Sequence, residues 1–198
     1  MDERKPSNSV QAGLIIVAAM AAVMWLSEIV DQVANAGWDR YGIRPRDTDG
    51  LEGIVTAPFL HGGFDHLIGN TIPFLVLGAA IAFGGALRVV AVTVTVIVVG
   101  GLGTWLVAPG NTVHIGASGL VFGFAAYLIA RAAFSRSLVQ ALLGLVVLAV
   151  WGTTLLQGLV PEDGISWQGH LFGAVGGVLA AWLLDRRKAR VPAPATVG

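Results

Sequence analysis

The chain has 198 residues, 55% hydrophobic and only 12% charged, with a formal net charge of zero and a mean hydropathy of +0.76. That is too apolar for an ordinary soluble domain and marks an integral membrane protein, while balanced charge without a basic block gives no reason to expect nucleic-acid binding. The absence of cysteine excludes disulfides, thiol catalysis and Cys-ligated metal.

Six apolar windows follow one another, each of about 20 residues and long enough for a hydrocarbon core of about 30 Å. The first runs from about Val10 to Val30; Glu28 and Asp31 at its end suit a retained anchor better than a cleaved leader. A long connection over about 31–65, carrying Trp38, Tyr41, Pro45, Pro58 and Phe59, is either a disordered linker or, the favoured reading, an ordered cap lying in the interface, where Trp and Tyr prefer to sit. The second window runs from about His66 to Gly84, and the third, rich in Val, from about Leu87 to Ala108, ending before Pro109. The fourth spans about Gly116 to Arg131, the fifth Leu138 to about Leu159, and the sixth about Gln168 to Leu184. The expected organisation is an N-terminal cytoplasmic tail over 1–9, a six-helix membrane domain over 10–185, and a disordered cytoplasmic tail over 186–198. No internal repeat is evident, which argues against a small transporter built from repeated halves.

Basic residues set the expected orientation. With the N-terminus inside, the cytoplasmic side receives Arg4, Lys5, Arg88, Arg131, Arg136, Arg186, Arg187, Lys188 and Arg190, and the outer side receives Arg40, Arg44 and Arg46. Nine against three predicts both termini in the cytoplasm.

Depth follows from the inner charges at about 1.5 Å per helical residue. Ser118 precedes Arg131 by 13 residues, His170 precedes Asp185 by 15 and Asn70 precedes Gly84 by 14. All three then lie roughly 20 Å above the inner face. His66 is one turn above Asn70 on the same helix face. The fourth window reaches only about 24 Å, so the stretch 109–115 must dip inward and line a protein-enclosed, watery cavity. Ser118 then sits in the first turn of a helix, whose N–H groups lack intrahelical partners. The Ser118 backbone N–H, Asn70 and His66 are candidate donors to an oxyanion.

Gly173 and Gly177 form a small-residue seam below His170, and Gly119 and Gly123 form a similar notch beside Ser118, so the sixth and fourth helices can approach closely. His170 would then be the base that takes the serine proton. Phe122, one turn after Ser118, could stack on the imidazole.

Three separated motifs carry a resemblance: His61-Gly-Gly-Phe-Asp-His66-Leu-Ile-Gly-Asn70, Gly116-Ala-Ser118-Gly119-Leu-Val-Phe122-Gly123, and Gly169-His170-Leu-Phe-Gly173-Ala-Val-Gly-Gly177. In order and helix placement over roughly 55–185, the chain resembles the rhomboid family of intramembrane serine proteases. The resemblance implies an all-α, six-transmembrane-helix bundle whose short fourth helix carries the nucleophile. It implies a Ser118–His170 dyad, with Asn70, His66 and the Ser118 N–H binding the oxyanion, and a multi-pass protein of the cell membrane whose active site opens to the outer side. The implied substrates are transmembrane segments of other proteins, cleaved at small residues near helix-destabilising positions, with no metal, nucleotide or other cofactor. The fifth helix, with Trp151, is a candidate gate by resemblance alone.

Two positions depart from the family pattern. Phe122 stands where many members have tyrosine, which keeps the stacking surface and loses the hydroxyl. The Trp-Arg pair common in the first loop is missing from its expected place, where this chain reads Glu52-Gly53; Trp38 and Arg40 are the nearby substitutes.

Other readings compete at single residues. Serine among glycines in a membrane helix is usually packing, and His66 and Asn70 could be capping and packing groups. His61 reads as a loop-bonding residue and His114 as a rival base, although His114 shares one short loop with Ser118. Four histidines invite a metal site, yet no His-Glu-x-x-His pair or inward-facing carboxylate accompanies them, and no pair of intramembrane aspartates is present for an aspartyl mechanism. The rival from another class is a non-catalytic rhomboid-like protein that binds or escorts membrane clients. Retention of both Ser118 and His170 favours the enzyme.

Overall fold

A computed structural model of the chain describes residues 6–135, 137–162 and 164–186. Arg4, Lys5, Arg136, Asp163, Arg187, Lys188 and Arg190, and with them most of both expected tails, lie outside the described residues. Among the described residues there are seven α-helices: α1 (Pro6–Ala34), α2 (Gly53–Thr56), α3 (Phe64–Ala82), α4 (Ala86–Val107), α5 (Ser118–Ser135), α6 (Leu138–Gln157) and α7 (Trp167–Asp185). Six of them are long and apolar enough to cross a membrane; the shortest of these is α5, at 18 residues. The chain is a multi-pass, all-helical membrane protein.

The helix limits differ from the apolar windows by a few residues, because side-chain hydropathy does not mark where backbone hydrogen bonding ends. α1 begins at Pro6, inside the expected tail, and closes through Asn35 at φ 47°, a left-handed helix stop that Asn tolerates. α5 starts at Ser118 and continues past Arg131 to Ser135, which lengthens it to about 27 Å. Gly63 at φ 119° opens α3 and Gly85 at φ 96° opens α4, backbone conformations that L side chains rarely adopt.

α5 lies at the centre. Its Leu120, Phe124, Ala125, Tyr127 and Leu128 are buried, and the helix packs against α3, α4, α6 and α7, with Phe124 stacked on Phe74 of α3 at 5.6 Å between ring centroids. α6 is peripheral: of its 20 residues only Gly144 and Val147 are buried. Apolar side chains such as Leu87, Leu138 and Leu142 are exposed on the outer surface of the bundle, as expected where the solvent is hydrocarbon.

The buried seam joins α5 to α7. A Cβ added at Gly173 would meet the Gly119 carbonyl, and one at Gly177 would meet the Gly123 carbonyl. Backbone thus lies on backbone, which small residues permit and which dispersion rewards in a bilayer. Near the C-terminal end of α7, Asp185 accepts from Tyr127 Oη at 3.0 Å and from Arg131 Nε at 3.1 Å, both on α5, and from Arg88 of α4 at 2.6 and 2.8 Å. Arg88 also donates to Tyr127 Oη.

The first loop is ordered. Short 3-10 turns at Trp38–Tyr41, Thr48–Gly50 and Ala57–Phe59 flank α2, and an antiparallel bridge pairs Ile43 with His114 of the α4–α5 connection. Its anchor is Arg46, at φ 59°. The Arg46 N–H donates to Trp105 O at 3.1 Å, and its guanidinium donates to Leu106 O at 3.1 Å and Ala108 O at 2.7 Å. These are carbonyls at the C-terminal end of α4, which lack intrahelical partners. Trp105 Nε1 returns a bond to Asp47 O at 2.9 Å. Trp38 and Arg40, the nearby residues of the missing types, make local bonds instead: Arg40 donates to Ala36 O, Gly37 O and Tyr41 Oη, and the Trp38 N–H donates to Asp31.

Candidate active site

Ser118 opens α5 and His170 lies in the first turn of α7. The glycine seam holds these two turns side by side, and Ser118 Oγ is 2.8 Å from His170 Nε2. On the other edge of the ring, Nδ1 is 2.7 Å from the Gly158 carbonyl just beyond α6. A carbonyl only accepts, so Nδ1 carries the proton and a neutral His170 presents Nε2 as an acceptor to the serine hydroxyl. Phe122 lies flat on the imidazole, with centroids 4.1 Å apart and planes 7° from parallel. The ring is thus held by a nucleophile-side hydrogen bond, a carbonyl on its opposite edge and a hydrocarbon face.

α3 supplies the facing wall. Asn70 is 8% exposed and donates one amide hydrogen to His66 O at 3.0 Å; the second amide hydrogen is left for the cavity that Asn70 lines. His66 sits against Gly116, where a Cβ would lie 2.7 Å from His66 Nε2 and 3.8 Å from Asn70 Nδ2. Gly116 also adopts φ 110°. Lack of a side chain and freedom of φ are both required for the approach to Ser118 to pass His66.

His61 is 1% exposed, and its Nε2 accepts from the Ala117 N–H at 3.2 Å. It packs edge-on to His66 with ring centroids 5.1 Å apart. Burial, and secondarily the nearby His66, lower its pKa to about 4, so it stays neutral and remains an acceptor. With the Ala117 N–H engaged, the adjoining first-turn N–H of Ser118 is the backbone donor beside the nucleophile.

His114 does not reach Ser118. Its Nδ1 is 2.7 Å from Ser166 Oγ and its Nε2 is 2.8 Å from Thr112 Oγ1, so of the two candidate bases the structure brings only His170 to the serine. Asp65, His66, Asn70, Ser118, Phe122, Trp151 and His170 line one cavity of about 1170 Å³ between α3 and α6. Among the described residues no group of three or more His, Cys, Asp or Glu side chains is arranged to hold a metal ion.

The rhomboid domain model matches residues 49–187, most of the chain and all of these side chains. The chain belongs to the rhomboid family. An uncharacterized protein of Mycobacterium tuberculosis is 46% identical over 185 residues, covering 88% of this rhomboid and 77% of the relative. YdcA of Bacillus subtilis, provisionally named a rhomboid protease, is 26% identical over 176 residues, covering 87% and 81%. A chloroplastic rhomboid-like protein of Arabidopsis thaliana is 33% identical over 151 residues, covering 67% and 52%.

Three participants escaped sequence reasoning in this rhomboid: the Gly158 carbonyl, the Ser166–His114 contact and Arg46. Gly158 acts through a main-chain group that every residue has, so no residue type signals it. Ser166 and His114 carry a weak signal, since each lies four positions before a member of the Ser118–His170 pair.

Proposed function

We propose that this rhomboid is an intramembrane serine endopeptidase that hydrolyses peptide bonds in or near transmembrane segments of other membrane proteins. The supporting observation is the hydrogen bond between Ser118 Oγ and the unprotonated Nε2 of His170, with Nδ1 committed to Gly158. A serine hydroxyl is a weak nucleophile until a base accepts its proton as it attacks.

Ser118 Oγ adds to the scissile carbonyl while His170 Nε2 takes the hydroxyl proton. Negative charge gathers on the substrate oxygen and is met by the Ser118 N–H, the free amide hydrogen of Asn70 and the His66 imidazole, donors of the kind that stabilise such an oxyanion. Collapse breaks the C–N bond, and imidazolium gives its proton to the leaving amine. Water, deprotonated by the same nitrogen, then hydrolyses the Ser118 ester and restores the hydroxyl. The charge that His170 acquires with the proton on Nε2 is steadied by the Nδ1–H donated to the Gly158 carbonyl, the position that a carboxylate fills in Ser-His-Asp enzymes.

The cavity between α3 and the lightly packed α6 gives an unwound substrate segment room beside Ser118. The proposed topology places both termini in the cytoplasm and the cavity mouth on the outer side of the cell membrane, following the bias of Arg and Lys.

The test is cleavage of a single-span substrate by the purified protein in proteoliposomes, alongside fluorophosphonate labelling. Activity and labelling of Ser118 are expected in the unmodified chain. Both should vanish in Ser118→Ala, and in His170→Ala protein that remains folded. Normal turnover by either variant removes the dyad. Client binding without cleavage by the unmodified chain would instead favour the non-catalytic rhomboid-like reading.

A further inference from the structure

The seam between α5 and α7 leaves one geometric problem unsolved. Glycine backbones in contact set how close two helices come, but they present few protrusions to stop one helix sliding along the other. The Ser118–His170 hydrogen bond depends on that sliding coordinate, because a serine and an imidazole one ångström out of register no longer share a proton in line. Directional contacts must therefore fix the register. Toward one end of the seam they are Tyr127 and Arg131 on Asp185. Beyond the dyad, toward the other end, stands a second serine–histidine contact, Ser166 Oγ to His114 Nδ1 at 2.7 Å.

The two pairs are crossed. His114 is four residues before the serine, and Ser166 is four residues before the histidine. Ser166 is the residue that precedes α7, but its side chain makes no capping bond to that helix. Its hydroxyl goes instead to His114, while its carbonyl accepts the main-chain N–H of His170 at 3.0 Å. A displacement of Ser166 is therefore passed directly to the base.

Proton positions in this second contact follow from its far end. Thr112 Oγ1 lies 2.6 Å from the Pro109 carbonyl, which can only accept, so the Thr112 proton is committed there. His114 Nε2 must then donate to Thr112 Oγ1, and neutral His114 accepts at Nδ1 from Ser166 Oγ–H. Burial lowers the His114 pKa, which keeps it in that neutral form. Its main chain is fixed as well: Ile43 N donates to His114 O at 2.9 Å, and His114 N donates to Ile43 O at 3.0 Å. His114 is thus a fixed post between the first loop and the approach to Ser118, and Ser166 is tied to it.

We propose that Ser166 and His114 are positioning residues: their hydrogen bond holds the start of α7 in register with the approach to α5, and so holds His170 Nε2 on Ser118 Oγ. This rests on the proposed serine chemistry at Ser118, and the experiment separates the two. In proteoliposomes with a single-span substrate, Ser166→Ala lowers kcat by about tenfold to a hundredfold, the cost of a misplacement of about an ångström. KM is nearly unchanged, and the rate of fluorophosphonate labelling at Ser118 falls in proportion to kcat. Ser166→Thr, which keeps the hydroxyl, recovers most of the loss. Tyr127→Phe weakens the link at the other end of the same helix pair and serves as the comparison for stability alone. Its melting midpoint in detergent falls at least as far as that of Ser166→Ala, with a smaller loss of kcat.

Ser166→Ala turnover and labelling equal to those of the unmodified chain would overturn the inference and leave the dyad standing. So would a Ser166→Thr variant as slow as Ser166→Ala, or equal kcat losses in Ser166→Ala and Tyr127→Phe. An unmodified chain that neither cleaves nor labels would overturn the inference together with the reading on which it rests.

Discussion

The Gly158 carbonyl lies 2.7 Å from His170 Nδ1, on the edge of the imidazole opposite Ser118. Gly158 closes α6, donating its own N–H to Thr154 O at 2.9 Å, so the tautomer of the base depends on where this peripheral helix ends. A main-chain carbonyl cannot be protonated at working pH and offers no alternative hydrogen-bond sense, which makes it a one-way partner for Nδ1–H. Since α6 buries so few residues, it is the helix whose displacement costs least packing, and any outward movement of its end releases the base.

Gly158→Ala tests this dependence. A Cβ there would lie 2.5 Å from Phe122 Cζ and 3.0 Å from His170 Nδ1, so ring, helix end or both must move. The expected outcome in steady-state cleavage assays is a kcat lower by about tenfold or more, with little change in KM. Gly152→Ala on the same helix, where a Cβ meets nothing within 4 Å, should behave as the unmodified chain. Equal kcat for both variants would detach α6 from the base.

Asp185 offers a stability prediction. Its side chain is 6% exposed beside Arg88 and Arg131, and removing one partner of a buried ion pair leaves uncompensated charge worth about 3–5 kcal/mol. Asp185→Ala should lower the melting midpoint in detergent markedly, whereas Asp185→Asn, which still accepts from Tyr127 and Arg88, should lose less. The measurement is thermal unfolding followed by intrinsic tryptophan fluorescence.

Much of this arrangement is legible in the residue types, for identifiable reasons. Ser118, His170 and Asn70 are ionisable or polar groups in hydrocarbon-length windows, where polarity is costly and therefore conspicuous. Gly119, Gly123, Gly173 and Gly177 repeat at helical spacing, so one seam could be read from each motif. Counting residues from Arg131 and Asp185 placed the serine and histidine at one depth because helical rise is constant. Contacts made through main-chain groups were not legible, since any residue can offer them: Gly158 O to His170 and the carbonyls that receive Arg46 are of this kind. The first loop illustrates the limit. The missing Trp-Arg pair left the anchor open, with Trp38 and Arg40 at best nearby substitutes by residue type, whereas Arg46 holds the loop through a left-handed backbone and the end of α4.

His61 predicts a pH dependence of stability. Its folded pKa of about 4 lies below the usual 6.5, so between these values the unfolded chain binds the extra proton and the folded chain does not. Stability is therefore highest above about pH 6.5 and falls as the pH drops towards 4, by up to about 3 kcal/mol from this residue. Unfolding followed across that range should show the loss. His61→Asn, which retains an acceptor for the Ala117 N–H without titrating, should flatten the curve; an unchanged slope would assign the effect to other groups.

Arg46 separates two contributions that a single substitution would confuse. Its φ of 59° is unfavourable for a residue with a Cβ, and its guanidinium satisfies carbonyls at the end of α4. Arg46→Ala keeps the strained backbone and removes the guanidinium bonds, while Arg46→Gly removes both; the main-chain bond to Trp105 O remains available to each. The difference between them is then the backbone term, about 1 kcal/mol in favour of glycine, partly offset by glycine's greater freedom in the unfolded chain. Both should leave the first loop less firmly attached to α4. Limited proteolysis under native conditions should cut Arg46→Ala within 37–52 sooner than the unmodified chain, with Arg46→Gly between them. Because Ile43 pairs with His114 three residues before Arg46, loosening this anchor also loosens the post to which Ser166 is tied. Arg46→Ala is therefore expected to lower kcat by a smaller factor than Ser166→Ala. Cleavage rates identical to the unmodified chain, alongside accelerated proteolysis, would show that the loop can detach without disturbing the dyad.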